Sequence, residues 1–157
     1  MAVRKLRGGK AQESAEESAL IQLLKKKGES RKLFEKYCAR EYCSENILAY
    51  SDVEKYEGLS KDFDRHELAT EMLNMYMKSG SVNEVNTTEE VIQQVKIVLE
   101  QGWENNKELD GLMTSFGVEL IQNMSDTYFR FSTTSEYALL AKQEEMQKEI
   151  LTTYKLD

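Results

Sequence analysis

The sequence predicts an all-α fold, a helical bundle, and three observations carry that expectation. Proline is absent and 31% of the residues are charged, a composition that suits helices joined by short turns. Apolar residues recur three and four positions apart through most of residues 18 to 151, the spacing of one buried helix face. Glycines, hydroxyls and amides interrupt that pattern where helices stop and start. At 157 residues, one core is the economical organisation.

In chain order, residues 1–18 are polar, small and charged, and read as a disordered or linker segment; the helical domain is expected over residues 19–154. Leu20, Ile21, Leu23 and Leu24 form the first apolar face, Gly28 supplies a stop, and Ser30 a new start. Leu33, Phe34, Tyr37 and Cys38 extend a second helix to about Tyr42. Ser44 is placed to cap a third, with Ile47, Tyr50 and Val53 at helical spacing and Gly58 at its end. A fourth is expected from about Ser60, burying Leu68, Met72, Met75 and Tyr76 and broken by Gly80. After the loop from Ser81 to Asn86, Thr87 and Glu90 read as a capping box. Val91, Ile92, Val95, Val98 and Leu99 continue it to Gly102. Leu112, Met113, Phe116, Leu120, Ile121 and Met124 repeat the period. A break near Ser125, a short turn from Tyr128 to Phe131, and a final helix from a second capping box, Thr133 to Glu136, complete about eight or nine helices.

Charge and inventory exclude several function classes. The first ten residues carry Arg4, Lys5, Arg7 and Lys10 and no acid, so the remainder holds −11 against a net −7 for the chain. Nucleic acid is disfavoured as a partner, because phosphates are repelled without a concentrated basic face. The basic start gives a weak peripheral contact to anionic membrane or remains a solvated end. No apolar stretch reaches bilayer-spanning length and no leader pattern opens the chain, so a soluble, unprocessed protein is expected. Cys38 and Cys43 are too few and wrongly spaced for a zinc or redox motif and read as free thiols, which points to the cytoplasm. His66 is the single histidine, so hydrolytic triads and two-histidine metal sites are poorly supplied. Gly8-Gly9-Lys10 lacks the remaining positions of a phosphate-cradling loop. No catalytic residue, metal or cofactor is expected.

What remains is a set of ordered segments. The stretch Leu33 to Tyr56, LFEKYCAREYCSENILAYSDVEKY, is similar to a segment of the regulator of G-protein signalling (RGS) family through Phe34, Glu41, Tyr42, Glu45, Asn46, Ile47 and Tyr56. MYMKSGSVNEVN resembles the family's helix end and Val-Asn loop at Val85 and Asn86. MSDTYFRF resembles its Asp-Ser-Tyr-x-Arg-Phe signature at Asp126, Thr127, Tyr128, Arg130 and Phe131. The chain departs from the family pattern at Cys43 (usually Ser), Ala49 (usually Phe), Tyr50 (usually Trp) and Phe129 (usually polar). The approach to Asp126 is one residue short, so the usual apolar contact falls on or near Gln122.

The resemblance implies an RGS-like domain of about nine helices whose loops at residues 42–46, 82–87 and 123–130 meet a Gα subunit in its GTP or transition-state form. Tyr42, Cys43, Glu45, Asn46, Asn86, Asp126, Thr127 and Arg130 are the Gα-binding residues it implies. Asn86 would lie nearest the catalytic glutamine of Gα, and Asp126 and Arg130, four apart, would order the third loop. The implied function is activation of GTP hydrolysis by Gα, the chemistry belonging to Gα itself. The alternative is a scaffold of the same fold that binds Gα or another signalling partner without stimulating hydrolysis. The free thiols set the expected location in the cytoplasm, and the basic start offers recruitment to the inner face of the plasma membrane.

Overall fold

The computed structural model describes residue 15 and residues 17–104 and 106–154. Most of the expected linker, including the basic cluster and Gly8-Gly9-Lys10, lies outside the described residues. These are all-helical, with no strand among them. The elements are α1 (residues 17–26), α2 (Glu29–Arg40), α3 (Ser44–Gly58), α4 (Asp62–Met72), a π-helical segment (Leu73–Met77), α5 (Glu89–Glu100), α6 (Lys107–Ser132) and α7 (Ser135–Tyr154). The chain divides into two compact units, Cys38–Met124 and the pair of segments Met1–Tyr37 and Ser125–Asp157.

In the unit Cys38–Met124, apolar faces build the core. Ile47, Ala49, Val53, Leu68, Met72, Val95, Val98, Met113, Phe116 and Leu120 are buried, as the spacing of their helices requires. Polar ties fix the helices against one another. Tyr56 of α3 donates to Asp110 of α6 at 2.7 Å, and Tyr76 donates to Asp52 at 2.5 Å. His66 Nε2 donates to the Leu99 carbonyl at 2.9 Å, an oxygen near the end of α5 that also accepts from the Gly102 amide at 3.4 Å. Asn106 closes α5 by donating to Val98 and Gly102 carbonyls at 3.2 and 3.1 Å, and opens α6 by accepting from the Leu109 amide. Gly117 faces α3 so closely that an added Cβ would sit 3.3 Å from Val53 Cγ1.

The other unit is centred on an aromatic cluster. Phe131 lies 5.3 Å from Phe34, 5.5 Å from Tyr37 and 5.3 Å from Tyr137, measured between ring centres. Leu20, Leu24 and Phe34 are fully buried. The buried Arg31 donates to the Leu24 carbonyl at 2.8 Å, an orphan of the end of α1, and pairs with Glu35 at 3.1 Å. Ser30 donates to Glu144 of α7 at 2.7 Å.

The structure corrects several expected boundaries. Among the described residues the helices number fewer than about nine because α6 runs unbroken through Ser125 to Ser132; Leu120, Met124, Tyr128 and Phe131 keep one buried helical face across the supposed break. The second helix starts at Glu29 rather than Ser30, with the left-handed position falling on Lys27 (φ 48°). α2 stops at Arg40, short of Tyr42. Ser44 is the first helical residue of α3 and Cys43 occupies the cap, its side chain making no capping bond to the amides of that helix. α4 starts at Asp62 rather than near Ser60. The π turn adds a residue to the buried stripe, so Tyr76 and Met77 turn inward and Met75, expected in the core, is exposed. Thr88, not Thr87, caps α5 by accepting from the Val91 amide. Thr134, not Thr133, accepts from the Tyr137 amide at the start of α7.

Candidate functional site

The sharp turn between α2 and α3 comes first. Its backbone is closed by the Tyr42 and Cys43 amides, which donate to Ala39 and Cys38 carbonyls at 3.2 and 3.0 Å. Tyr42 has a positive φ of 56° and is almost wholly exposed at 95%. That conformation disfavours a side chain bearing Cβ, and sites that hold one there tend to be functional. The Cys43 thiol donates back to the Cys38 carbonyl at 3.4 Å, and both cysteines are free. Glu45 and Asn46 occupy the first turn of α3, where unpaired amides and the helix dipole favour an acidic residue. Ile47 and Ala49, both buried, anchor that turn.

The second element is the loop from Gly80 to Thr88. Gly80 takes φ 80°, its amide donates to Glu84, and the Glu84 amide donates to the Ser81 carbonyl. Val85 is a buried plug whose amide donates to Tyr76 O at 2.9 Å. The next residue, Asn86, is exposed, and its side chain makes no hydrogen bond among the described residues. Residues 84–87 also wall a cleft of about 860 Å³ floored by Leu73, Met77 and Ile92.

Two α6 side chains, Glu119 and Asn123, join these elements. Asn123 Nδ2 donates to Asn46 Oδ1 at 3.1 Å and to the Asn86 carbonyl at 2.6 Å. The second acceptor is a backbone oxygen, so the NH₂ of Asn123 must face it, and each of its hydrogens then has one partner. One turn earlier, Glu119 accepts from the Thr87 hydroxyl and, at 3.3 Å, from that of Thr88. The structure therefore brings Asn46 and Asn86 together through a residue the sequence reading passed over. Asn123 was hidden by its place beside Gln122, where an apolar contact was expected; the available signal was the polar pair Glu119 and Asn123, four apart on an otherwise buried stripe.

The third group lies on the last turns of α6. Tyr128 and Phe131 are buried in the aromatic cluster, while Asp126, Phe129 and Arg130 are exposed. Thr127 is buried at 7% exposure, and its hydroxyl accepts from Arg130 Nη2 at 3.4 Å. Among the described residues no cluster of His, Cys, Asp and Glu could hold a metal, and no helix is long and apolar enough to cross a membrane.

These polar groups are carried on an all-helical scaffold. The family model described as "Regulator of G protein signaling domain" matches residues 19–154. The chain belongs to the RGS-domain family, and its field of action is the regulation of G-protein signalling. A search of curated proteins gives no match.

Proposed function

We propose that the chain is a GTPase-activating protein for heterotrimeric Gα subunits, with no catalytic residue of its own. The observation that supports this most is the exposed Asn86 side chain, uncommitted among the described residues, on a loop whose backbone is tied to Asn46 through Asn123. An activator of this kind needs pre-set hydrogen-bonding groups, because Gα carries the arginine and the water-orienting glutamine and requires them held in the transition-state arrangement. Asn86 is the group proposed to meet that glutamine, Tyr42, Glu45 and Asn46 to border the same contact, and Asp126 and Arg130 to add a further one. The acting location is the cytoplasm, with the basic residues near the start as a contact to the inner membrane face.

Two observations favour the second reading, a scaffold that binds without activating: the Cys43 thiol is directed to Cys38 O, and Thr127 is buried. Single-turnover GTP hydrolysis by a panel of Gα subunits separates the two. Activation predicts a faster rate with the native chain and tighter binding to Gα carrying GDP and a planar phosphate mimic than to Gα with GDP alone. Asn86→Ala is expected to cut the stimulated rate by about ten- to a hundredfold, the value of a hydrogen bond to a charged or desolvated partner. Equal affinity for both nucleotide states, without stimulation, would establish the scaffold.

A further inference from the structure

We infer that Asn123 and Glu119 are positioning residues that set the Asn86 loop for its work on Gα, a role that rests on the activating reading above. Neither needs to touch Gα. Asn123 reaches the loop through the Asn86 carbonyl, and Glu119 through the hydroxyls of Thr87 and Thr88. The loop is pinned on its entry side by Val85, whose amide bonds Tyr76 O. On its exit side Thr88 caps α5. Between these points residues 84–87 border an open cleft rather than solid core, so packing alone leaves the peptide at Asn86 free to rotate. The two α6 side chains remove that freedom. By engaging the carbonyl of Asn86 and leaving its side chain unused, they fix the direction of the side-chain amide before any partner arrives.

The clasp also sets register between two contact elements. Asn123 spends one hydrogen on Asn46 at the start of α3 and the other on Asn86, so the turn after α2 and the loop before α5 are held at one spacing. A site assembled in advance binds the transition state without ordering cost at the moment of reaction. Losing the clasp should lower the rate reached at saturation more than the affinity.

The test uses the whole chain in saturating single-turnover hydrolysis, with hydrogen exchange of the amides of residues 84–89 measured in the free protein. Asn123→Ala and Thr87→Val are expected to lower the saturated rate about tenfold, the worth of one well-placed hydrogen bond, and to speed loop exchange while leaving the melting temperature nearly unchanged. Thr87→Ser keeps the hydroxyl and should restore most of the rate. In an Asn86→Ala background, Asn123→Ala should add little, because it acts through the residue already removed. Undiminished stimulation and unchanged exchange in Asn123→Ala and Thr87→Val would overturn the positioning role while leaving activation standing. No stimulation by the native chain would overturn activation and this role together, with loop exchange then reporting only whether the clasp exists.

Discussion

Phe131 and Phe129 stand two residues apart on α6 and face opposite conditions. Phe131 is fully buried, with Phe34, Tyr37, Tyr128 and Tyr137 around it at 5.3 to 6.3 Å between ring centres. Phe129 is half exposed at 48%. Replacing Phe131 by Ala leaves a cavity that rigid neighbouring rings cannot fill, a loss of about 3–5 kcal/mol. Replacing Phe129 by Ala should change stability by less than about 0.5 kcal/mol, as at other open sites. Urea unfolding of both variants checks this; similar midpoints for the two would remove the aromatic cluster from the core. At this scale the sequence was only partly readable. The buried face of MSDTYFRF followed from helical spacing, yet Thr127 looked like a surface residue and is covered. Asn123 could not be assigned locally, because both its acceptors come from distant parts of the chain, 37 and 77 residues away.

Between helices, two of the ties of α3 are made by tyrosine hydroxyls. Burial, followed by the hydrogen bond and negative charge of Asp110, pushes the Tyr56 hydroxyl well above the ordinary tyrosine value. Burial, then the bond and charge of Asp52, does the same for Tyr76. A group whose pKa is raised by folding contributes stability that is complete below its unfolded value, near 10, and fades as pH climbs towards the folded one. The melting temperature should therefore be insensitive to these two groups up to about pH 9 and fall above about pH 10. Absorbance titration of Tyr56→Phe and Tyr76→Phe against the native chain should show that each of these hydroxyls ionises only as the chain unfolds; ionisation of either in the folded state would contradict the inward hydroxyls. Helical character was legible over most of the chain, since apolar periodicity is a property of each helix alone; the break expected near Ser125 and the turn from Tyr128 to Phe131 are instead part of α6. Element ends were less so, for a tertiary reason. Thr87 looked like the cap of α5, but its hydroxyl is taken by Glu119, 32 residues away, and the cap passes to Thr88. The π turn has no local signature, and it moved Met75 out of the core and Met77 in.

Across the whole molecule, the two units differ in how the chain supplies them. Cys38–Met124 is continuous, whereas its counterpart is assembled from both ends, with Ser30 and Glu144 bonded across 114 residues. Loop closure costs more over longer separations, and local contacts form sooner. Pulse-labelled hydrogen exchange during refolding should show amides of α3, α4 and α5 protected before those of α1 and α2; the reverse order would mean that the discontinuous unit nucleates folding. The same arrangement has a consequence for synthesis. Phe34 is synthesised about a hundred residues before Phe131, the ring it packs against, a delay on the order of 5–20 s at ordinary elongation rates. During that interval the nascent chain carries an apolar segment whose aromatic partners are not yet made, and it is there that a chaperone would find its client.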